Sequence, residues 1–261
     1  MSAPDPEARR VRYLRTMGIT AWVRRDRPFE ADIVEEADTV AHESAPSAPA
    51  PAAHLPRPES RESPASLVSG TPVAELDWET LQATVSACQL CPLAETRSNT
   101  VFGVGAAAAD WMIIGEAPGA EEDRRGEPFV GRAGQLLDSM LAGVSQSRAT
   151  AYIANVIKCR PPDNRDPSVE EANCCAPYLE RQIELIQPRV ILAVGRVAAQ
   201  RLLGQDVPVG RLRGQIHHFG PRRTPLIVTY HPAYLLRRPS EKGKVWRDLL
   251  LARSLLEKQT A

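Results

Sequence analysis

Three polar side chains of types that can take part in catalysis stand at the ends of apolar runs. Glu116, Asn155 and His231 each lie at or just after such a run. A carboxylate can position a water molecule, an amide offers one acceptor and two donors, and an imidazole can donate to developing negative charge. Each residue alone is equally well explained as a solvated, turn or structural residue. Their common position after apolar runs favours a shared site.

Glycine-rich segments adjoin the first of these residues. Gly115 opens the segment Gly-Glu-Ala-Pro-Gly, the acidic residues Glu121–Asp123 follow it, and Phe129 lies between two further glycines. Glycine allows a ligand to approach the backbone closely. A phenylalanine in such a loop offers a flat surface on which a nucleobase can stack, although it can equally be a core residue.

The segment after His231 is apolar and then basic. It contains Tyr234, Leu235, Leu236 and Arg237, and residues 201–261 hold 12 basic against 4 acidic side chains. This pattern is typical of a surface that meets phosphates, with an apolar wedge that can enter a duplex. The charge is explained just as well by a solvated helix face.

The five cysteines favour a metal site. They are Cys88 and Cys91 in a C-x-x-C pair, followed by Cys159, Cys174 and Cys175. An odd number of cysteines without a secretion signal argues against disulfide bonds. Four thiolates from distant segments can enclose zinc or an iron–sulphur cluster, and spacing does not choose between them. The remaining alternative is that the last three are small buried hydrophobic residues.

Alternating strand and helix patterns must position these residues. They predict a parallel sheet with helices on both faces and ligands at the carboxyl ends of the strands. The predicted strands are 111–115, 151–156, 190–195 and 226–229. Helices are predicted after Asp77, over 133–141, from the capping box at Ser168, over 197–203 and over 241–257.

Composition divides the chain into three parts. Residues 1–30 contain a short helical pattern, residues 31–72 form a Pro- and Ala-rich linker that we expect to be disordered, and residues 73–261 form the functional domain. The apolar runs are too short to span a membrane, and no secretory signal is evident. We therefore expect a cytoplasmic protein.

The motifs together resemble the family 4 uracil-DNA glycosylases. The resemblance covers about residues 85–255 in unbroken order, from Cys88-x-x-Cys91 through Gly115-Glu-Ala-Pro-Gly, Pro128-Phe-Val-Gly and Lys158-Cys-Arg-Pro-Pro to His231-Pro-Ala-Tyr-Leu. It implies an α/β/α sandwich with a four-stranded parallel sheet. The protein would be a monomeric, nucleoid-associated bacterial enzyme that hydrolyses the N-glycosidic bond of uracil in single- or double-stranded DNA. It also implies a 4Fe-4S cluster rather than zinc.

The resemblance further implies a role for each site residue. The catalytic positions are Glu116 for water activation, Glu122 as a supporting acid and His231 for the departing uracil anion. The substrate-binding positions are Gly115, Ala117, Phe129 for stacking and Asn155 for the pyrimidine edge; the DNA-binding positions are Tyr234, Leu235 and Arg237; and the cluster ligands are Cys88, Cys91, Cys159 and Cys175. Cys174 is expected to be a bystander.

Other functions fit these residues less well. A related branch that traps uracil through a histidine is disfavoured, because Ala117 fills its glutamine position and no histidine lies between Asn155 and His217. An iron–sulphur redox protein would leave Glu116 and His231 without a role, and a non-catalytic nucleic-acid-binding module would form no product. A polymerase-like domain that transfers nucleotides would need a pair of metal-binding aspartates, and the sequence shows no such pattern.

The N-terminal segment carries a second, shorter resemblance. Residues 14–22, Leu-Arg-Thr-Met-Gly-Ile-Thr-Ala-Trp, look like the start of the psi subunit of bacterial DNA polymerase III, which contacts the clamp loader. This resemblance implies that residues 9–25 tether the domain to the replisome.

Overall fold

The structure, a computed structural model, describes residues 67–68 and 71–259. A six-stranded sheet with helices on both faces forms an α/β/α sandwich. Residues 67–68 and 71–72 pair as a short antiparallel ribbon. The helical prediction for residues 1–30 and most of the linker prediction for 31–72 lie outside the described residues.

The strands are short, as expected for a sheet that is buried on both faces. They are β1 (Leu67–Val68), β2 (Thr71–Pro72), β3 (Val104–Gly105), β4 (Trp111–Gly115), β5 (Ala151–Asn155), β6 (Val190–Val194), β7 (Ile216–Phe219) and β8 (Thr224–Thr229).

The large sheet has the order β3-β5-β4-β6-β8-β7. Strands β5, β4, β6 and β8 are parallel, so the four predicted strands are confirmed with their direction. The predicted strand count is wrong, because β3 and β7 add one antiparallel strand at each edge. Antiparallel edge strands on an otherwise parallel sheet are common in such folds.

The helices begin where the sequence places their caps. The side chain of Asp77 accepts from Thr80 N at 2.8 Å, and Ser168 and Glu171 form the predicted capping box. The helices are α1 (Trp78–Ala87), α2 (Leu93–Thr96), α3 (Ala120–Arg125), α4 (Arg132–Gly143), α5 (Val169–Ile186), α6 (Arg196–Leu203), α7 (Val209–Leu212), α8 (Pro232–Arg237) and α9 (Lys242–Gln259).

Two apolar layers enclose the sheet. Alternate residues of β4 point to opposite faces, so that Met112 and Ile114 pack in the layer under α5 and α6, whereas Trp111 and Ile113 pack in the layer under α4 and α9. Every residue of β4, β5 and β6 is buried. No helix in the described part of the chain is long and apolar enough to cross a membrane.

Candidate active site and cysteine site

The predicted polar residues meet at one edge of the sheet. The carboxyl ends of the four parallel strands lie there, and Gly115 at the end of β4 is the register partner of Asn155 at the end of β5. Glu116 follows β4 directly, and His231 begins α8 just after β8. The structure therefore brings these positions together as the strand pattern predicted.

A cavity of about 140 Å³ opens at this edge. Phe129 lies beside it, since its ring is 5.5 Å from the ring of His231 with an angle of 30° between the planes. The cavity is lined by Glu116, Ala117, Pro118, Gly119, Pro161, Asn164, Arg165 and His231.

Gly115 allows two of the candidate residues to approach each other. A Cβ atom at this position would lie 2.5 Å from Asn155 Oδ1 and 2.6 Å from Phe129 Cζ. The side chain of Asn155 is only 2% exposed, and its Oδ1 has no hydrogen-bond partner. Buried acceptors in folded proteins are normally paired. The site thus holds an oriented acceptor that is free for a ligand, beside an aromatic ring.

His231 has a defined protonation state and tautomer. Burial lowers its pKa to about 4, and the positive charge of Arg237 acts in the same direction. Its Nδ1 accepts a hydrogen bond from Ala233 N at 3.1 Å, as the cap of α8. In the neutral ring the proton is therefore on Nε2, which is left as a donor for the cavity.

Glu116 lies in an environment that favours the protonated form. Burial raises its pKa to about 7, the carboxylate of Asp166 adds to this effect through its charge and a hydrogen bond, and Arg196 opposes it. Asp166 in turn forms an ion pair with Arg196 at the surface. A carboxyl group with a pKa near 7 suits exchange of a proton with water at neutral pH.

Glu122 is held by the backbone. Its two carboxylate oxygens accept hydrogen bonds from Gly119 N at 3.1 Å, Val130 N at 3.0 Å and Gly131 N at 3.2 Å. These bonds tie the start of α3 to the loop that carries Phe129. Glu122 therefore holds this loop in place through main-chain hydrogen bonds, whereas the side chain of Glu116 lines the cavity.

The backbone of Phe129 is fixed by a residue that the sequence patterns did not reveal. Phe129 has a φ of 55°, in the left-handed region that is unfavourable for bulky residues. Arg148 donates to Pro128 O at 2.9 Å and to Phe129 O, and its Nε bonds to Asp138 at 2.8 Å. The guanidinium thus holds the main chain of the loop that carries the Phe129 ring.

A buried network behind Asn155 was also not predicted. Lys158 is 1% exposed, and its Nζ donates to Asn155 O at 3.0 Å and to Gln182 Oε1 at 2.6 Å. Burial lowers the pKa of Lys158 to about 7, whereas the nearby thiols of Cys175 and Cys159 raise it. The motif Lys-Cys-Arg-Pro-Pro contained the signal, since a lysine next to a predicted ligand is a candidate partner of the site.

The segment predicted to contact DNA is divided between surface and core. Arg237 is exposed and Tyr234 is half-buried against Tyr230. Leu235 is 1% exposed and packs in the core, so its predicted contact with DNA is wrong for this geometry. Helical spacing turns the next residue outward, and Leu236 is 40% exposed.

The five cysteines come together beside the start of α5. The thiol of Cys91 interacts electrostatically with Cys88, Cys159 and Cys174, and Cys175 interacts with Cys91 and Cys159. Burial raises the pKa of Cys175 to about 12 and that of Cys159 above its usual range. Metal binding must therefore displace protons from these thiols, which makes occupancy of the site dependent on pH.

Each of the four predicted ligand sulphurs receives a hydrogen bond. Arg97 Nη1 lies 3.2 Å from the sulphur of Cys159. The other donors are Tyr178 OH to Cys88, Leu93 N to Cys91 and Lys158 N to Cys175. Such donors stabilise metal-bound thiolates.

Cys174 differs from the other four cysteines. Its sulphur donates to Leu90 O at 3.5 Å, and no donor to it is found within residues 71–259. Among the described residues no group of three or more side chains is close enough to hold a single metal ion.

Comparisons with known proteins place these features in a family. Residues 102–250 match the model described as the uracil DNA glycosylase superfamily. A type-4 uracil-DNA glycosylase of Archaeoglobus fulgidus is 44% identical over 63% of this chain and 85% of its own length. The type-4 enzymes of Pyrobaculum aerophilum and Thermotoga maritima are each 41% identical, over 67% and 69% of this chain and 93% and 95% of their own lengths.

Proposed function

Because this chain belongs to the type-4 uracil-DNA glycosylases of the uracil DNA glycosylase superfamily, we propose that it removes uracil from DNA. The enzyme hydrolyses the N-glycosidic bond and leaves an abasic site, which initiates base excision repair. One observation carries the proposal: a buried Asn155 with an unpartnered Oδ1 stands beside Phe129 at the carboxyl edge of the sheet.

Asn155 reads the base after it has left the duplex. Uracil presents an N–H donor next to a carbonyl acceptor on its pairing edge, and the amide of Asn155 offers the complementary acceptor and donor. Cytosine presents the opposite order and leaves buried polar groups unpaired, which costs about 1–3 kcal/mol for each group. Phe129 supplies the stacking surface for the flipped base.

His231 stabilises the departing base. Cleavage places positive character on the sugar and negative charge on uracil. Because the ring is neutral with its proton on Nε2, it donates a hydrogen bond to the uracil anion at the moment the charge develops. Glu116 in its ionised form then orients the attacking water, whereas Glu122 holds the surrounding loop.

The exposed residues of α8 contact the DNA. Tyr234 and Arg237 remain candidate contacts, and Leu236 takes the place of Leu235 as the apolar wedge. We place this activity at the nucleoid, in the cytoplasm, with the protein acting as a monomer on single- or double-stranded DNA.

A 4Fe-4S cluster completes the enzyme. Cys88, Cys91, Cys159 and Cys175 would hold it, since each of these sulphurs receives a hydrogen bond. When bound, the cluster supplies covalent links between three distant segments of the chain. The redox-protein alternative predicts a readily cycling cluster and no base release.

Release of uracil from a uracil-containing oligonucleotide, followed by alkaline cleavage, tests the proposal. Wild type is expected to give abasic product, and Asn155→Ala to give little. Asn173→Ala, an exposed asparagine on α5, is the matched control and should retain activity. No product from a folded, iron-loaded wild type would favour the redox or binding-module alternatives.

The N-terminal residues suggest a partner. Residues 9–25 are proposed to contact the clamp loader, because of their resemblance to the psi subunit. A pull-down of clamp-loader subunits by the full chain, lost on Trp22→Ala, is the expected result. Absence of binding by the full chain would contradict this part of the proposal.

A further inference from the structure

Lys158 has a buried position that the proposed function does not explain. Its side chain is 1% exposed, and both acceptors of its ammonium group, Asn155 O and Gln182 Oε1, are uncharged. Lysine is almost never fully buried unless it is paired. Lys158 directly precedes Cys159, so the residue that bonds to the carbonyl of Asn155 also adjoins the cysteine site.

The backbone around Lys158 connects the two sites of the enzyme. On one side, Val156 N bonds to Gly115 O at 2.9 Å and Ile157 N bonds to Glu116 O at 3.2 Å. On the other side, Lys158 N donates to the sulphur of Cys175. Only three residues, 156–158, thus separate the base-reading Asn155 from Cys159.

Gln182 keeps the lysine in this place. It is fully buried in α5, and its Nε2 donates to Phe102 O at 2.9 Å and to Tyr152 OH at 3.1 Å. Because both donors of the amide are used, its oxygen points to Lys158 in a fixed direction. The ammonium therefore has one defined position, between the carbonyl of Asn155 and the side-chain oxygen of Gln182.

We infer that Lys158 is a positioning residue that couples the cysteine site to uracil recognition. The loaded site holds Lys158, and Lys158 holds the main chain of Asn155 so that its amide faces the base. The coupling is reciprocal, because a bound uracil that favours this arrangement of Asn155 stabilises the loaded cysteine site to the same extent. The inference rests on the proposed function.

The first test measures binding without turnover. Iron-loaded full-length Lys158→Met is compared with wild type for an oligonucleotide that contains 2′-fluoro-deoxyuridine and for the same oligonucleotide with 2′-fluoro-deoxycytidine, whose pairing edge has the opposite order. The variant should keep its iron and its affinity for the cytidine oligonucleotide but lose about tenfold or more of its preference for uracil, as when a buried acceptor loses its donor. Tyr152→Phe, which removes only the far end of the network, should keep the preference.

The second test measures the release of iron to a chelator. The 2′-fluoro-deoxyuridine oligonucleotide should slow the release several-fold in wild type, and the 2′-fluoro-deoxycytidine oligonucleotide should not. In Lys158→Met the two oligonucleotides should have the same effect. This readout does not depend on catalysis, and a merely structural role of Lys158 would not change it in a uracil-specific way.

Two results would overturn this inference and leave the proposed function intact. One is an iron-loaded Lys158→Met that keeps the wild-type preference for uracil, and the other is a loss of preference that occurs only when iron is lost. If this variant does not fold, Gln182→Met takes its place with a smaller loss in the same direction, and wild-type values in it would also overturn the inference. A wild type without any preference for uracil would instead overturn the proposed function, and the inference with it.

Discussion

The contact between Glu116 and Asp166 makes the pH dependence of the enzyme adjustable at a surface residue. Replacing Asp166 by asparagine removes the negative charge that raises the pKa of Glu116, and it frees Arg196, whose charge lowers that pKa. Both changes act in the same direction. We therefore predict that Asp166→Asn shifts the acidic limb of the activity profile to lower pH.

The size of the effect follows from the pKa of Glu116. With a value of about 7, roughly a tenth of the carboxyl groups are ionised at pH 6, so wild-type kcat/KM should be about a tenth of its plateau there. Burial, the largest cause of the raised pKa, remains in the variant. Activity at pH 6 should thus rise toward the plateau without reaching it, and the plateau should change by about twofold at most, because the exposed ion pair contributes little.

Single-turnover base release between pH 5 and 8.5 measures this shift. His231, with a pKa of about 4, titrates below this range and does not obscure the limb. Asp163→Asn is the matched control, because Asp163 is exposed in the same loop and asparagine tolerates its positive φ of 55°. An unchanged limb, or one displaced to higher pH, in Asp166→Asn would refute the assignment of Glu116 as the group that must ionise.

Three further substitutions test the geometry of the two sites. Gly115→Ala should lower kcat/KM by about a hundredfold with little change in Tm, because its Cβ would displace the base-reading amide and the stacking ring; wild-type kinetics would disprove this account. Cys175→Ser should lose most of the bound iron and Cys174→Ser should keep it, as measured by iron content and visible absorbance; equal losses would show that both bind the cluster. Arg148→Gln should raise KM more than it lowers kcat, because the stacking ring loses its support but the leaving-group contact remains; an effect on kcat alone would contradict this role.

The elements that could be predicted from the sequence are those with a continuous or periodic pattern of apolar residues. The four parallel strands are continuous apolar runs because both faces of each strand are buried. Strand β3 has only two residues, and β7 reads Ile-His-His-Phe with partial exposure, so neither gives a clear pattern. Helix α3 was missed because it is short and consists almost wholly of charged residues, which give no apolar face.

Some residues of the candidate site could likewise be predicted from the sequence, and others could not. Glu116, Asn155 and His231 follow strands, and the rule for parallel sheets places them together. The partners Arg148 and Asp166 could not be predicted, because each acts on a residue that only the tertiary structure brings near. For Lys158 one signal was present in the sequence, its place beside a predicted cysteine ligand. Leu235 was predicted at the surface for a related reason: the pattern shows an apolar segment but does not say which side of a single helical turn faces the core.

The unpartnered oxygen of Asn155 also bears on the stability of the protein as a whole. A buried acceptor without a donor lowers the free energy of unfolding by about 1–3 kcal/mol relative to a satisfied one. That is an appreciable part of the 5–15 kcal/mol by which domains are usually stable. An apolar residue of similar volume at this position should therefore give a more heat-resistant protein that no longer distinguishes bases. Base selectivity and thermal robustness are opposed at this one atom, and the natural residue favours selectivity.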